Sequence, residues 1–361
     1  MEASKCIEEK IKKIASEIEP ELIQIRHTLH QHPELGIDLP QTHDIIAGEL
    51  KKIPGLEITE HVAGGSGIVA LMHGKKDTGK NILLRADIDA LPIEEPGEYE
   101  YKSQNHGQMH ACGHDGHATW IIGAAKILSE LRDEFGGTVK FVFQPGEEVG
   151  KGADTLIHED KVLENPRVDM AFAAHGWPSV ESGKIGIARR YAFGCVGGFK
   201  IKINGKKGHA SWPEQTNDPI AAANEIYQHL PSILTRKISG TESGILSVTY
   251  MLAGDNRVGN IIPESCEFGG TMRAVKREVL EKMGEEIEKQ VKAVCEVYDT
   301  TYEAEIMIHG DSVHNAPELL EGVQAAATQI LGENQVYIIE EDNLGGENFS
   351  EYSSLVPAVY M

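Results

Sequence analysis

The first half of the chain alternates between two hydrophobic patterns. Spacing of about 3.6 residues between apolar positions predicts amphipathic helices at residues 1–14, 21–30, 42–50, 118–131 and 152–158. Short apolar runs predict buried strands at residues 81–89, 138–143 and 168–174. Because strands that alternate with helices usually pair in one direction, we expect an α/β fold. Its sheet would be parallel or mostly parallel and covered by helices on both faces.

The order of the patterns changes after about residue 190. Strand and helix signals then follow in the order β-α-β-β-α-β, at residues 199–203, 219–230, 244–252, 265–274, 277–298 and 302–308. This order is that of ferredoxin-like α+β units. We therefore expect two domains, one of residues 1–189 and 310–361, and an inserted one of residues 190–309. A helix at 317–331 belongs to the first domain.

Composition and charge exclude several classes of protein. No apolar run in the 361 residues approaches the 18 residues of a membrane span, and the first residues lack the pattern of a secretory signal. The net charge of −22 repels nucleic acids and anionic membranes. Five scattered cysteines suggest no disulfide framework, so we expect a reducing, cytoplasmic location.

One short segment is rich in side chains that bind metals. Residues 110–117 read His-Ala-Cys-Gly-His-Asp-Gly-His and are expected to form a loop before a helix. Imidazole and thiolate together suit zinc and its neighbours in the transition series. The spacing alone leaves a second interpretation open, in which the segment is a polar loop that caps the helix.

Three further signals lie where the predicted strands end. Asp87 and Asp89 close the first strand, Glu147 and Glu148 follow the second, and His175 follows the third. Ligands gather beyond the carboxyl ends of strands in open α/β sheets. Together with the segment 110–117, these residues have the composition of a two-metal hydrolytic site, including a carboxylate that can deprotonate water.

Each of these residues also has an ordinary structural interpretation. For Asp87, a role as a turn or cap residue and a role in the site are equally well supported by the sequence. The Glu147–Glu148 pair could complement the dipole of a following helix. His175 alone could be a satisfied polar residue, and His117 is expected in the first turn of the helix. Only their shared location favours a functional site.

Several motifs carry a family resemblance. They are Arg-Ala-Asp-Ile-Asp-Ala-Leu-Pro at 85–92, Met-His-Ala-Cys-Gly-His-Asp-Gly-His at 109–117, Phe-Gln-Pro-Gly-Glu-Glu at 143–148, His-Gly-Trp-Pro at 175–178 and Gly-His-Ala-Ser-Trp-Pro at 208–213. In this order they resemble the aminoacylase/carboxypeptidase metallopeptidases. The branch is that of hippurate hydrolase, auxin-conjugate hydrolases and N-acetyl-diaminopimelate deacetylase. The similarity covers nearly the whole chain, from residues 26–36 onward.

The resemblance implies a metal centre and its ligands. Cys112, His114, Glu148 and His175 match residues that bind two divalent metal ions. Zinc or manganese is expected, with cobalt or nickel as alternatives, because all suit a set of thiolate, imidazole and carboxylate ligands. The first domain would then be the metal-binding catalytic domain. The inserted domain would be a lid or dimerisation domain, which implies a homodimer or higher homo-oligomer.

The resemblance also implies roles in catalysis and substrate binding. Glu147 matches the general base that takes a proton from water and delivers it to the leaving amine. Asp89 matches a carboxylate that orients a metal ligand. His209 matches the residue that stabilises the tetrahedral oxyanion. Asn260 and Arg273 match residues that hold the substrate carboxylate, to which a guanidinium can bind through two hydrogen bonds.

The sequence departs from the family pattern at two places. The family places a further His ligand beyond the position of Met361, so we expect that the given sequence lacks a C-terminal segment. Asn348 stands where the family commonly has Asp, and since Glu347 is retained we expect a modest effect.

The predicted activity is metal-dependent hydrolysis of the amide bond of N-acyl amino acids, of the acetyl or benzoyl type. A dipeptidase or carboxypeptidase acting on small peptides is the alternative enzyme. A noncatalytic binding homologue is the alternative from another class. A thiol mechanism with Cys112 as nucleophile predicts inactivation by alkylation and indifference to chelators.

Overall fold

The structure, a computed structural model, describes residues 2–361, with side chains from Cys6 onward. The chain divides into two units. Unit 1 consists of the described part of Met1–Ala192 together with Val313–Glu341 and Asn348–Met361. Unit 2 consists of Phe193–Ser312 and Asp342–Glu347. The short segment Asp342–Glu347 therefore belongs with unit 2, whereas the sequence predicts it in the first domain.

The elements follow one another in chain order. The helices are α1 (Glu2–Gln31), α2 (Pro40–Leu50), α3 (His114–Glu130), α4 (Gly152–His158), α5 (Pro219–His229), α6 (Pro231–Arg236), α7 (Arg277–Val297), α8 (Pro317–Leu331) and α9 (Ser350–Ser353). The strands of unit 1 and the start of unit 2 are β1 (Leu56–Val62), β2 (Gly67–His73), β3 (Ile82–Asp87), β4 (Thr138–Gln144), β5 (Met170–Ala173), β6 (Ile185–Ala188) and β7 (Tyr191–Phe193). The remaining strands are β8 (Cys195–Asn204), β9 (Gly208–His209), β10 (Gly244–Ala253), β11 (Ile261–Ile262), β12 (Ser265–Ala274), β13 (Thr301–His309), β14 (Val313–His314), β15 (Val336–Ile339) and β16 (Ala358–Tyr360).

The main sheet of unit 1 has the strand order β1-β2-β4-β3-β5-β16. Strands β4, β3, β5 and β16 run parallel, while β2 is antiparallel to both β1 and β4. This arrangement confirms the α/β prediction with a mainly parallel sheet. The β1–β2 hairpin is not predicted from the sequence, although Leu56, Ile58 and Val62 alternate with polar residues as in a half-exposed strand.

Helices cover both faces of this sheet. Ile46 of α2 and Ile122 of α3 are buried in one core cluster with Phe141 and Phe143 of β4. Side chains alternate along a strand, so Gln144 points to the opposite face, where it accepts a hydrogen bond from the Tyr352 hydroxyl of α9 at 3.1 Å. All seven residues of β4 are buried, which explains why the strand is largely apolar even though it contains Lys140 and Gln144.

Unit 2 is built on an antiparallel sheet of order β10-β12-β8-β13. Phe199 and Ile201 of β8, Phe268 of β12, and Leu280 and Ile287 of α7 are buried together in its core. The predicted strand at 265–274 coincides with β12, and helix α5 begins at Pro219 as predicted. The order of the main elements is β8, α5, β10, β12, α7, β13, with α6 after α5.

In the described residues, none of the helices combines the length and the apolar character that crossing a membrane requires. Helix α1 extends further than predicted, because the two helical signals at 1–14 and 21–30 join into one helix that contains Pro20.

The buried side chain of Lys140 binds backbone carbonyl groups of the loop before β5. It is 3% exposed on β4, and its ammonium group donates to the carbonyl oxygens of Val162 at 2.6 Å, Glu164 at 2.7 Å and Pro166 at 3.2 Å. These residues form the connection that leads to β5. Lysine is rarely buried unless its charge is satisfied, and here three carbonyl dipoles satisfy it.

We predict that Lys140→Met lowers the free energy of unfolding by about 3 kcal/mol, because three buried carbonyl groups lose a charged donor. Urea denaturation of the parent and the variant measures this. An unchanged denaturation midpoint would show that the hydrogen bonds of Lys140 contribute nothing to stability.

Candidate metal centre

The candidate residues of unit 1 lie where parallel strands end. Strand β3 ends at Asp87, β4 ends three residues before Glu147, and β5 ends two residues before His175. The pairing of β5 with β16 continues to His175, whose N–H donates to the carbonyl oxygen of Met361 at 2.9 Å. The sheet therefore fixes the backbone on both sides of these residues.

Helix α3 begins earlier than predicted, which corrects the assignment of residues 110–117 to one loop. Gly113 has a φ of 88°, in the left-handed region that glycine adopts readily, and the helix starts at His114. The N–H groups of Gly116 and His117 donate to the Gly113 carbonyl oxygen at 2.9 and 3.2 Å. His114 and His117 therefore share the first turn, as i and i+3 neighbours, with ring centroids 5.3 Å apart.

The predicted ligands lie around one centre. Cys112 Sγ is 3.4 Å from His175 Nε2. Ligand atoms of Cys112, His114 and His175 all lie within 4.8 Å of one another, and so do those of His114, Glu147 and Glu148. His114 belongs to both groups. The fold therefore brings together all four residues that the sequence suggested as ligands, with Glu147 beside them.

Two buried atoms of this cluster lack a protein partner. His114 Nε2 and Glu148 Oε1 have no hydrogen-bond partner among the described residues, and they lie 3.9 Å apart. A buried polar atom without a partner costs about 1–3 kcal/mol. A cation bound to both would satisfy them, since their separation of 3.9 Å is shorter than two metal–ligand bonds of about 2.0–2.2 Å each. The donor set thus fits a divalent metal ion.

Asp89 fixes the backbone of the two glutamates. Its carboxylate accepts hydrogen bonds from the N–H groups of Glu147 and Glu148, both at 3.1 Å. Asp89 Oδ1 also lies 3.5 Å from His114 Nδ1. This fully buried carboxylate therefore holds the Glu147–Glu148 turn close to the first turn of α3. It contacts groups that face the centre, as expected of an orienting residue.

Asp87 and His117 form a third group with His114, but their atoms are already engaged. His117 Nδ1 lies 2.5 Å from Asp87 Oδ1, and the Gly176 N–H donates to His117 Nε2 at 2.9 Å. Both ring nitrogens of His117 are thus used within the protein. Asp87 Oδ2 accepts from Arg85 Nη1 at 2.6 Å. These contacts favour the structural interpretation of Asp87 over that of a metal ligand.

The charges at the centre perturb one another. Burial alone would raise the pKa of Asp87, but the charges of His114 and Arg85 hold it well below its ordinary value. Burial opposes protonation of His114, yet Asp87 and Asp89 raise its pKa well above the ordinary value. Burial raises the pKa of Cys112 and of Glu148. A metal ion that binds these candidate ligands would compete with protons, whose binding the raised pKa values favour.

The other predicted site residues lie in unit 2. His209 is exposed on β9, which pairs with β11 opposite Ile261, and its Nδ1 accepts from the Ser211 N–H at 3.1 Å. The Asn260 carbonyl oxygen accepts from the Ala210 N–H at 2.9 Å, so His209 and Asn260 are close. Arg273 lies on β12, where its Nη1 donates to the Met272 carbonyl oxygen at 2.9 Å, and burial lowers its pKa.

The structure adds residues for which the sequence gave no role. Arg85 is 2% exposed and contacts Gln144, Asp87 and Asn348. The N–H of Asn348 donates to Glu147 Oε1 at 3.3 Å. The sequence did contain one sign that Arg85 has partners, because a charged residue inside an apolar strand is almost always paired when buried. Its partners could not be read from the sequence, since Asn348 lies more than 200 residues away.

The comparison with known proteins decides the family. Residues 83–361 match the model of peptidase family M20/M25/M40. The chain belongs to this family. Membership confirms the resemblance drawn from the motifs and the prediction that the chain is a hydrolase of the metallopeptidase class.

Relatives and a solved structure agree with this assignment. The N-acetylcysteine deacetylase of Bacillus subtilis is 36% identical, over 94% of this chain and 87% of the relative. Thermostable carboxypeptidase 2 of Saccharolobus solfataricus is 35% identical, over 98% of this chain and 88% of the relative. A crystal structure of a Bacillus subtilis protein described as a dinuclear metal-binding M20 peptidase superimposes with a TM-score of 0.81. It is 32% identical and covers 97% of this chain and 88% of its own.

We predict that Cys112→Ala and His114→Ala each reduce the number of zinc ions bound per chain, because each removes one ligand atom. Atomic emission on protein loaded with zinc and then desalted gives the stoichiometry. His158→Ala is the matched control, since His158 is an exposed histidine of α4. Equal losses in all three variants, or full binding by His114→Ala, would contradict the assignment.

Proposed function

We propose that the protein is a metal-dependent amidohydrolase that cleaves the amide bond of N-acyl amino acids. The observation that carries this proposal is a pair of buried atoms, His114 Nε2 and Glu148 Oε1, that have no hydrogen-bond partner in the described part of the chain, with Cys112, His175 and Glu147 beside them. Cys112, His114, Glu148 and His175 would hold two divalent ions. A relative described as a dinuclear metal-binding peptidase supports the number of ions.

The metal ions, when bound, would polarise the substrate carbonyl and make water acidic near neutral pH. Zinc and manganese are the preferred candidates, and cobalt and nickel also suit this ligand set. The thiolate of Cys112 favours the softer of these metals, while the carboxylate of Glu148 suits all of them.

Glu147 is the proposed general base. Its backbone is fixed by the hydrogen bond from its N–H to Asp89, and its Oε1 accepts from the N–H of Asn348. The carboxylate is therefore held at the edge of the ligand cluster and is not itself needed as one of the four ligands. It would take a proton from the attacking water and donate that proton to the leaving amine.

Residues of unit 2 would complete the reaction. We propose that His209 stabilises the oxyanion of the tetrahedral intermediate and that Asn260 and Arg273 bind the substrate carboxylate. The exposure of His209 suits a group that acts on a ligand rather than in a core. In this proposal residues 190–309 form an inserted ferredoxin-like lid whose movement closes over bound substrate.

The same domain is the proposed dimerisation surface. Strand β10 is an edge of its sheet, and Tyr250, Met251 and Leu252 on this strand are 37%, 40% and 64% exposed. An exposed edge strand with apolar side chains readily pairs with another chain. A homodimer or a higher homo-oligomer in the cytoplasm is therefore proposed, with small molecules rather than nucleic acids or membranes as partners.

A carboxypeptidase or dipeptidase activity is the second candidate. It is favoured by the relative named as a carboxypeptidase, whereas the relative named as a deacetylase favours small acyl groups. Both substrate classes share an amide bond next to a free carboxylate, so the same site residues would serve both.

Two other interpretations are less well supported. A noncatalytic binding homologue would have no use for Glu147 held beside the ligand cluster. A thiol nucleophile requires a thiolate, but burial raises the pKa of Cys112 and so favours the neutral thiol.

We predict that Glu147→Gln lowers kcat on acetyl- and benzoyl-amino acids by about 100- to 10,000-fold, because the amide cannot accept a proton. Metal content should stay at the parental value, since the variant keeps all four ligands. Initial rates with protein of measured metal content test this. Glu159→Gln, an exposed glutamate, is the control. Full turnover by metal-loaded Glu147→Gln would refute the proposed role.

A second prediction concerns the substrate carboxylate. Replacing this group by a neutral amide should lower kcat/KM of the parent by about 10- to 100-fold, because a charge-assisted hydrogen bond is lost. In Arg273→Met the acid and the amide should be hydrolysed equally well. Values of kcat/KM for the parent and for Arg273→Met, each with the acid and with the amide, form a double-mutant cycle. Arg236→Met, at an exposed arginine, is the control. Additive effects in the cycle would exclude contact between Arg273 and the carboxylate.

A further inference from the structure

Arg85 is a buried cation that connects strands β3 and β4 of the main sheet to the turn at Asn348. Its side chain is among the largest that are fully buried. Nε donates to Gln144 Oε1 at 3.1 Å, Nη1 to Asp87 Oδ2 at 2.6 Å and Nη2 to Asn348 Oδ1 at 2.7 Å. The planar guanidinium can make all three bonds at once, which a lysine could not. Arg85 thus fixes the ends of β3 and β4 relative to Asn348.

On one side, the network reaches the proposed base. The Asn348 side-chain oxygen accepts from Arg85 and also from Gln144 Nε2, the latter at 2.8 Å. With its side chain held in this way, Asn348 directs its backbone N–H to Glu147 Oε1 at 3.3 Å. Asn348 is also the first residue of unit 1 after Asp342–Glu347, which belongs to unit 2.

On the other side, the network reaches a proposed ligand. Asp87 bonds Arg85 through Oδ2 and faces His117 through Oδ1, and His117 accepts from the Gly176 N–H. His175 Nδ1 lies 2.7 Å from the Gly176 carbonyl oxygen, which leaves Nε2 directed to Cys112. One chain of contacts from Glu147 to His175 therefore passes through Arg85, in addition to the shorter one from Glu147 through Asp89 to His114.

We propose that Arg85 and Asn348 are positioning residues that hold the base Glu147 at a fixed position relative to the proposed ligand His175. This inference rests on the proposed function. Arg85 is the positively charged junction, and Asn348 transmits its position to the carboxylate of Glu147 through a backbone N–H. The role suits a site in which a displacement of about 1 Å costs about 100-fold in rate.

The chemistry of Asn348 explains why its side chain matters although it is neutral. Its Oδ1 serves two buried donors, while its Nδ2 has no hydrogen-bond partner within residues 2–361. The oxygen is therefore the part of the side chain that the network uses. An aspartate would offer the same acceptor and add a second carboxylate to Arg85, whereas an alanine would leave two buried donors unpaired.

The test compares Asn348→Ala with Asn348→Asp. Alanine removes the acceptor, so kcat per metal-loaded chain should fall about 10- to 100-fold while KM changes less than about twofold. Aspartate keeps the acceptor, so its kcat should stay within about threefold of the parent. Metal content should be parental in both variants, because neither change removes a ligand. A rise in KM at constant kcat, parental kcat in Asn348→Ala, or equal losses in the two variants would overturn the proposal.

Lys140→Met is the matched control. Lys140 is also a buried cation of the main sheet, but its contacts are to the carbonyl groups before β5 and not to Glu147. It should lose stability without losing kcat per folded, metal-loaded chain. Thermal unfolding of all variants shows whether the losses in kcat follow losses in folding stability instead. If Lys140→Met and Asn348→Ala lie on one line of rate against stability, the role of Asn348 is only structural.

A readout on the metal-free protein separates this inference from the proposed function. The amide proton at position 348 donates to a carboxylate, so Glu147→Gln should move its NMR resonance upfield in the otherwise unchanged chain. In a chain that also carries Asn348→Ala, Glu147→Gln should shift the resonance of the amide proton at position 348 by a smaller amount. Equal shifts in both backgrounds would overturn the positioning role. Absence of hydrolysis by the metal-loaded parent would refute the proposed function and leave this NMR result standing.

Discussion

Buried polar atoms without partners are the constraint on which the rest of the site depends. His114 Nε2 and Glu148 Oε1 face each other at 3.9 Å in the interior, and no described group bonds either of them. The fold holds this arrangement because Asp89 accepts the N–H groups of Glu147 and Glu148 and lies beside His114. Burying these two atoms without partners costs free energy of folding, and a bound cation would restore it. Metal affinity and folding stability are therefore coupled.

Sequence reasoning succeeded where the physical signal is local. The apolar residues of β4 and the helical period of α5 mark their elements directly, because the burial pattern follows the sequence pattern. A metal site could be predicted because strand ends converge at one edge of a parallel sheet, while the choice of Cys112, His114, Glu148 and His175 as its ligands came from the family resemblance. The start of α3 was misplaced, since polar histidines in a first turn interrupt the apolar period that identifies a helix.

Sequence reasoning failed where the signal depends on distant partners. Whether Asp87 binds a metal or a protein group cannot be read from its neighbours, because both interpretations need the same carboxylate at a strand end. The structure separates them only by showing Arg85 and His117 on its two oxygens. Likewise, the substitution at Asn348 looks minor in sequence, but the side chain turns out to accept hydrogen bonds from Arg85 and Gln144. The partners of Asn348 lie 204 and 263 residues away in the sequence, and contacts at such separations give no periodic signal.

The charge balance around Arg85 explains why the centre can carry both a thiol and several carboxylates. Asp87 would repel Glu148 and raise its pKa further if it were not paired, because both lie close to His114. The guanidinium neutralises Asp87 at Oδ2, the oxygen that also lies 3.7 Å from His114 Nε2, while Oδ1 lies against His117. With Asp87 paired to Arg85, His114 Nε2 and Glu148 Oε1 are left without a hydrogen-bond partner among the described residues, and a cation could satisfy both.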